Sequence, residues 1–123
     1  MTRDEINAFC AALPATTHVV QWGGADVWKV GDKVFAIAGW SDAERDEVFA
    51  AVTFKVSELS FEVLKDQPGL RPAPYLASRG LTWIQHHDAP GLADDELRQY
   101  LAGSHALVAE GLTRKKRREL GLA

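Results

Sequence analysis

The sequence predicts an α+β domain, a two-layer sandwich whose antiparallel β-sheet carries three helices on one face. Three observations lead there. Residues 13–37 read as a proline-stopped helix followed by three short strands joined by tight turns. Short turns require antiparallel pairing, since parallel strands need long crossovers. Helices before, between and after the strands each carry an apolar stripe that must be buried against something.

The elements follow in order. Thr2 and Glu5 have the spacing of a capping box. Ile6, Phe9, Cys10 and Leu13 recur at helical spacing, and Pro14 removes a backbone donor, so the first helix covers about residues 3–13. Val19, Val20 and Trp22 mark a first strand, turned by Gly23-Gly24. Val27, Trp28 and Val30 mark a second, turned by Gly31-Asp32. Residues 34–38 form a third, apolar on both faces like a central strand. Residues 41–47 are a polar connector. Val52, Phe54 and Val56 alternate with Thr53 and Lys55 as a half-buried strand. Ser57 caps a helix over about 58–66, which Pro68-Gly69 stops. Residues 68–80, with three prolines, are mostly loop. Residues 82–86 are strand-like. Asp94 or Asp95 caps a last helix, whose acids suit the dipole and whose stripe runs through Leu97, Leu101, Ser104, Val108 and Leu112.

Composition and charge bound the function. The 123 residues form one domain, 1–113, with a basic C-terminal tail at 114–123. No apolar run reaches the length of a membrane span, the start lacks a secretory pattern, and the lone cysteine cannot form an internal disulfide. These features set a cytoplasmic expectation with no membrane partner. The net charge of −3 conceals an asymmetry. The tail holds five bases and one acid, a surplus of +4, against −7 for the rest.

Ordered motifs then carry a resemblance. LPATT at residues 13–17, VGDKVFAI at 30–37, VTFKV at 52–56 and SHALV at 104–108 are joined by a proline-rich stretch ahead of Trp83. Together the chain resembles the MmcQ/YjbR family of small bacterial proteins. The resemblance implies a compact α+β fold related to secretion chaperones and CyaY-like proteins. It also implies a "double-wing" arrangement from which DNA binding is inferred. Two departures stand out. SRGLTW replaces the family's Lys/Arg-His-Trp run, and His105 stands where the family usually has Tyr.

The candidate sites each have two readings. Arg114, Lys115, Lys116, Arg117 and Arg118 can hold phosphates and release counterions, or can be a solvated helix end favoured by the dipole. Lys29 and Lys33 flank a hairpin tip that could act as a wing, and Arg79 sits near a second; lysines on strands also shield sheet edges. His86-His87-Asp88 invites a metal, but neighbours on a strand point to opposite faces. Cys10 reads as a small buried thiol and Ser104 as a helix-to-sheet spacer rather than a nucleophile. Exposed tryptophans beside lysines would make a stacking surface for single-stranded nucleic acid. The expectation is a non-enzymatic binding module without cofactor or metal. Its partner is DNA, held non-specifically by phosphate, or alternatively another protein in a chaperone-like role, with a small ligand as the third reading.

Overall fold

The computed structural model describes residues 1–39, 51–74, 76 and 80–122. Its elements run α1 (Arg3–Ala12), β1 (Thr16–Gln21), β2 (Ala25–Val30), β3 (Lys33–Ala38), β4 (Val52–Lys55), α2 (Glu58–Leu64), β5 (Leu70–Pro72), β6 (Trp83–His86), α3 (Asp94–Glu110) and α4 (Arg114–Glu119). The six strands form one antiparallel sheet in the order β1-β2-β3-β4-β6-β5.

Local chemistry sets the boundaries. The Thr2 side chain accepts from the Glu5 N–H at 3.1 Å while Glu5 accepts from the Thr2 N–H at 2.9 Å, closing the capping box of α1. Ser57 accepts from Ser60 N–H and caps α2. Gly31 and Asp32 both hold positive φ, 57° and 66°, as a two-residue hairpin turn requires.

The core lies between the sheet and the helices. Ile6 and Cys10 of α1, Leu64 of α2, and Leu97, Leu101 and Val108 of α3 pack with Val30, Phe35, Val52, Phe54 and Ile84. Burial pushes the Cys10 thiol up to about 12, so it stays protonated as packing material. A smaller apolar cluster, Ala25, Val27 and Ile37 with Val19 and Val34, forms on the other face.

Four points depart from the sequence reading. The described residues hold four helices, not three, because residues 114–119 fold into α4 instead of a free tail. Thr113 caps it by accepting from the Lys116 N–H, and Leu120 and Leu122 pack against the main core. Residues 70–72 form an edge strand within the expected loop; an edge position tolerates Pro72. Helix α3 begins after Ala93, with no side-chain cap. Asp94 instead holds the N-terminal ammonium at 2.9 Å. Finally, the lysine-bearing strands β2 and β3 lie inside the sheet, so Lys29 and Lys33 shield no edge. The connector at 41–47, Trp40 and Arg79 lie outside the described residues.

Candidate functional site

Six of the described cations, Lys33 and the bases at 114–118, lie near one end of the sheet, and a bulge helps shape that end. Trp28 pairs with Ala36 but Lys29 pairs with Val34, leaving Phe35 as the extra residue of β3. The bulge lets Phe35 and Ala36 both join the main core while Val34 and Ile37 pack with the second cluster. Ladder pairing between β3 and β4 runs only from Ala38 to Ala36, and beyond it the Ser104 hydroxyl enters. It donates to the Phe35 carbonyl at 2.6 Å and accepts from the Lys55 N–H at 2.8 Å. A helix side chain thus replaces a missing backbone link between two strands.

This bridge gives Ser104 the helix-to-sheet role that the sequence suggested, through the strands' own backbone groups. Its proton is committed to Phe35, so no Ser–His pair forms with His105. The His105 ring donates through Nε2 to the Pro14 carbonyl at 2.7 Å and meets Phe35 edge-on at 5.2 Å. His105 therefore ties α3 to the link between α1 and β1.

Beyond the bridge lies the cationic end. The turn of the β2–β3 hairpin meets the junction of α3 and α4. A Cβ added to Gly31 would fall 2.6 Å from the Leu112 side chain, so glycine permits this close approach. Lys116 Nζ lies 3.6 Å from Asp32 Oδ2. These two contacts bring Lys33 together with Arg114, Lys115, Lys116, Arg117 and Arg118. Lys33, Arg114, Lys115 and Arg118 are exposed, and Lys116 and Arg117 are half-buried. Lys29 lies on the sheet's second face beside its cross-strand partner Val34.

The electrostatics of α4 are unfavourable on their own. Arg114 and Lys115 occupy a first turn that contains no acid, where the helix dipole favours negative charge. Arg114 and Arg118 repel at i,i+4 spacing. The dipole argument for a merely solvated helix end therefore covers only the last-turn bases.

Three depressions lie along β3, β4 and α3. A groove of about 430 Å³ is lined by Lys55, Ser57, Ser60, Glu96, Gln99 and Tyr100, with Val56, Gly103 and Leu107. A cleft of about 220 Å³ is lined by Lys33, Val34, Lys55, Trp83, Leu107, Val108 and Gly111. An apolar cavity of about 290 Å³ is lined by Trp22, Val34, Ile37, Leu76 and Trp83.

A second polar cluster escaped sequence reasoning. Asp26 accepts from Arg3 and Asn7, each at 2.8 Å, and contacts His18 at 2.7 Å. The indole N–H of Trp28 donates to Asn7 at 2.9 Å, and Arg3 also donates to the Gly24 carbonyl. Burial raises the Asp26 pKa, but the bonds from Asn7, His18 and Arg3 outweigh it and hold the carboxyl below its usual value. The cluster fastens α1 to the β1–β2 hairpin. Its partners come from α1, β1 and β2, a combination no local motif announces.

His86 is buried, and its Nε2 accepts from the Leu92 N–H at 2.9 Å. Burial lowers its pKa to about 4, helped by the N-terminal ammonium and His87. Among the described residues no three His, Cys, Asp or Glu side chains converge as metal ligands. No helix among them is long and apolar enough to cross a membrane.

Comparison with known proteins follows the same architecture. The fold resembles that of Deinococcus radiodurans protein DR2400, which carries a DUF419 domain. The TM-score is 0.78 at 23% identity, covering 99% of this chain and 89% of that one. A protein from Pseudomonas syringae aligns with a TM-score of 0.67 at 21% identity, covering 87% of this chain and 98% of that one. At these identities the likeness speaks for the fold alone. No curated protein gives a significant match. The YjbR family model matches residues 11–107, which include all the described strands, α2 and most of α3 but only the last two residues of α1. With the family model spanning most of its length, the chain belongs to the YjbR family.

Proposed function

We propose that this protein is a non-enzymatic module that binds nucleic acid through its cationic end. The observation that carries the reading is the docking of α4 on the hairpin turn, through Lys116–Asp32 and Leu112–Gly31. It assembles Lys33 and the bases at 114–118 from two distant stretches of chain into one surface. A polyanion would relieve the mutual repulsion of those bases and release its own counterions on binding. Phosphate contact of this kind fixes position and carries no base specificity.

Asp32, Glu110 and Glu119 lie at or beside the cationic end, but the densest group of acids lies far from it. Asp94, Asp95 and Glu96 begin α3, and its 17 residues separate them from α4 by about 25 Å. That exceeds the Debye length of about 8 Å at physiological salt, so the acidic pole barely opposes binding at the basic one.

Titration of labelled duplex DNA over a salt series tests the reading. Binding should weaken linearly in log affinity against log salt. The double variant Lys115→Glu/Arg118→Glu should weaken binding and lower the magnitude of that slope by about 2. Absence of binding at low salt, or binding indifferent to salt, would remove the proposal.

A second reading, protein interaction, rests on α2. Leu59 and Val63 stand one helical turn apart and are 77% and 55% exposed. A pair of this kind suits an apolar partner surface. A Leu59→Glu/Val63→Glu variant that leaves DNA binding intact but abolishes self-association in light scattering would support it.

A further inference from the structure

The cationic end has an aromatic cavity beside it, and two residues line both. The 290 Å³ cavity and the 220 Å³ cleft share Val34 and Trp83 as a common wall. On one side of that wall lie Lys33 and Lys55; on the other lie Trp22, Ile37 and Leu76. Trp22 is 54% exposed, unusually open for so large an apolar side chain, whereas Trp83 is 9% exposed and forms the floor. Lys29, the cross-strand partner of Val34, stands on the same face. Among the described residues neither lining set contains an acid.

The occupant must therefore combine a flat apolar surface with an anion a short distance away. A nucleotide unit has that composition. Its base would stack against indole, and its phosphate would lie towards Lys33 and Lys55. The cavity, near the lower limit of ligand-pocket sizes, suits a planar group better than a bulky one. A base in a duplex is stacked and paired, and could enter only after leaving the helix. A single strand offers its bases without that cost, and base–aromatic stacking tolerates any sequence.

We infer that the cavity takes an unstacked base, so that the protein prefers single-stranded nucleic acid to duplex. This rests on the nucleic-acid reading above and adds the substrate class. The bulge at Phe35 has a part in it, because it turns Val34 onto the second face as the wall shared by cavity and cleft.

The test compares an oligothymidylate of about 12 nucleotides with a duplex of equal length at one salt concentration, by anisotropy of a labelled strand and by tryptophan fluorescence. The single strand should bind about tenfold tighter than the duplex and quench tryptophan emission. Trp22→Ala should abolish that preference and leave duplex affinity and its salt slope unchanged. Lys55→Gln should weaken single-strand binding in a protein whose circular dichroism is native. Equal affinity for the two forms, or a preference that survives Trp22→Ala, would overturn the inference and leave the cationic-end reading standing. Binding to neither form would overturn both. Competition by thymidine 5′-monophosphate, mole for mole as effective as the oligonucleotide, would also overturn it in favour of a free mononucleotide.

Discussion

Ser104 holds the sheet together where its own backbone does not. It satisfies a β3 carbonyl and a β4 N–H at once, and it is completely buried. Ser104→Ala would leave both groups without that partner in a site too small for easy hydration. The expected loss is about 2–4 kcal/mol, roughly the desolvation penalty of two buried polar groups, measured by urea unfolding. Ser104→Gly would not rescue it; a destabilisation below about 0.5 kcal/mol would contradict the bridge. The sequence made Ser104 legible as a small residue on a buried stripe. It could not show the bulge at Phe35 that creates the unpaired carbonyl. His105 was less legible still, because the apolar stripe passes beside it, and its ring's hydrogen-bond partner is the Pro14 carbonyl, far away in sequence.

At the scale of elements, α4 separates a folded helix from a basic tail. Leu120 and Leu122 pack against the main core, and Lys116 reaches the hairpin turn. Deleting residues 114–123 should therefore lower stability by about 2 kcal/mol through lost apolar burial, whereas Lys115→Glu/Arg118→Glu should stay within about 0.5 kcal/mol. Thermal unfolding of the two proteins checks this; equal melting temperatures for the truncated and full chains would show an undocked tail. The sequence marked this stretch as basic but hid its fold, since five consecutive bases outweigh the signal of two leucines two residues apart. Strand β5 was hidden for a similar reason. Three residues among prolines form a strand only because β6 offers its edge, and Gly69 lets the chain cross close under Asp88 and Gly91. Element α1, by contrast, could be read from its capping box and stop signal alone.

Over the whole molecule, charge and burial set how stability responds to acid. His86 holds a folded pKa of about 4 against an ordinary value of 6.5. The unfolded chain thus binds this proton first. Its contribution is complete above pH 6.5, falls as pH drops from 6.5 to 4, and levels off below. The full change is about 3 kcal/mol. Asp26 has a lowered folded pKa, so its contribution persists further down and is lost only as pH falls below the ordinary carboxylate range. Unfolding free energies measured from pH 8 to 4 should show the His86 step, and His86→Gln should flatten it; a wild-type profile flat between 6.5 and 4 would contradict it. What the sequence determined by itself was everything that depends on neighbours in the chain. Caps, proline stops, glycine turns and period-two patterning specified an antiparallel α+β domain, and ordered motifs pointed to its family. Tertiary structure alone decided which residues meet. It placed a distant basic helix on a hairpin turn, and it joined Trp22 and Trp83 around one cavity. It also gathered Arg3, Asn7, His18 and Asp26 into one cluster. Such meetings depend on sheet order, on a single bulged residue and on where a glycine permits close approach, and none of these leaves a periodic trace along the chain.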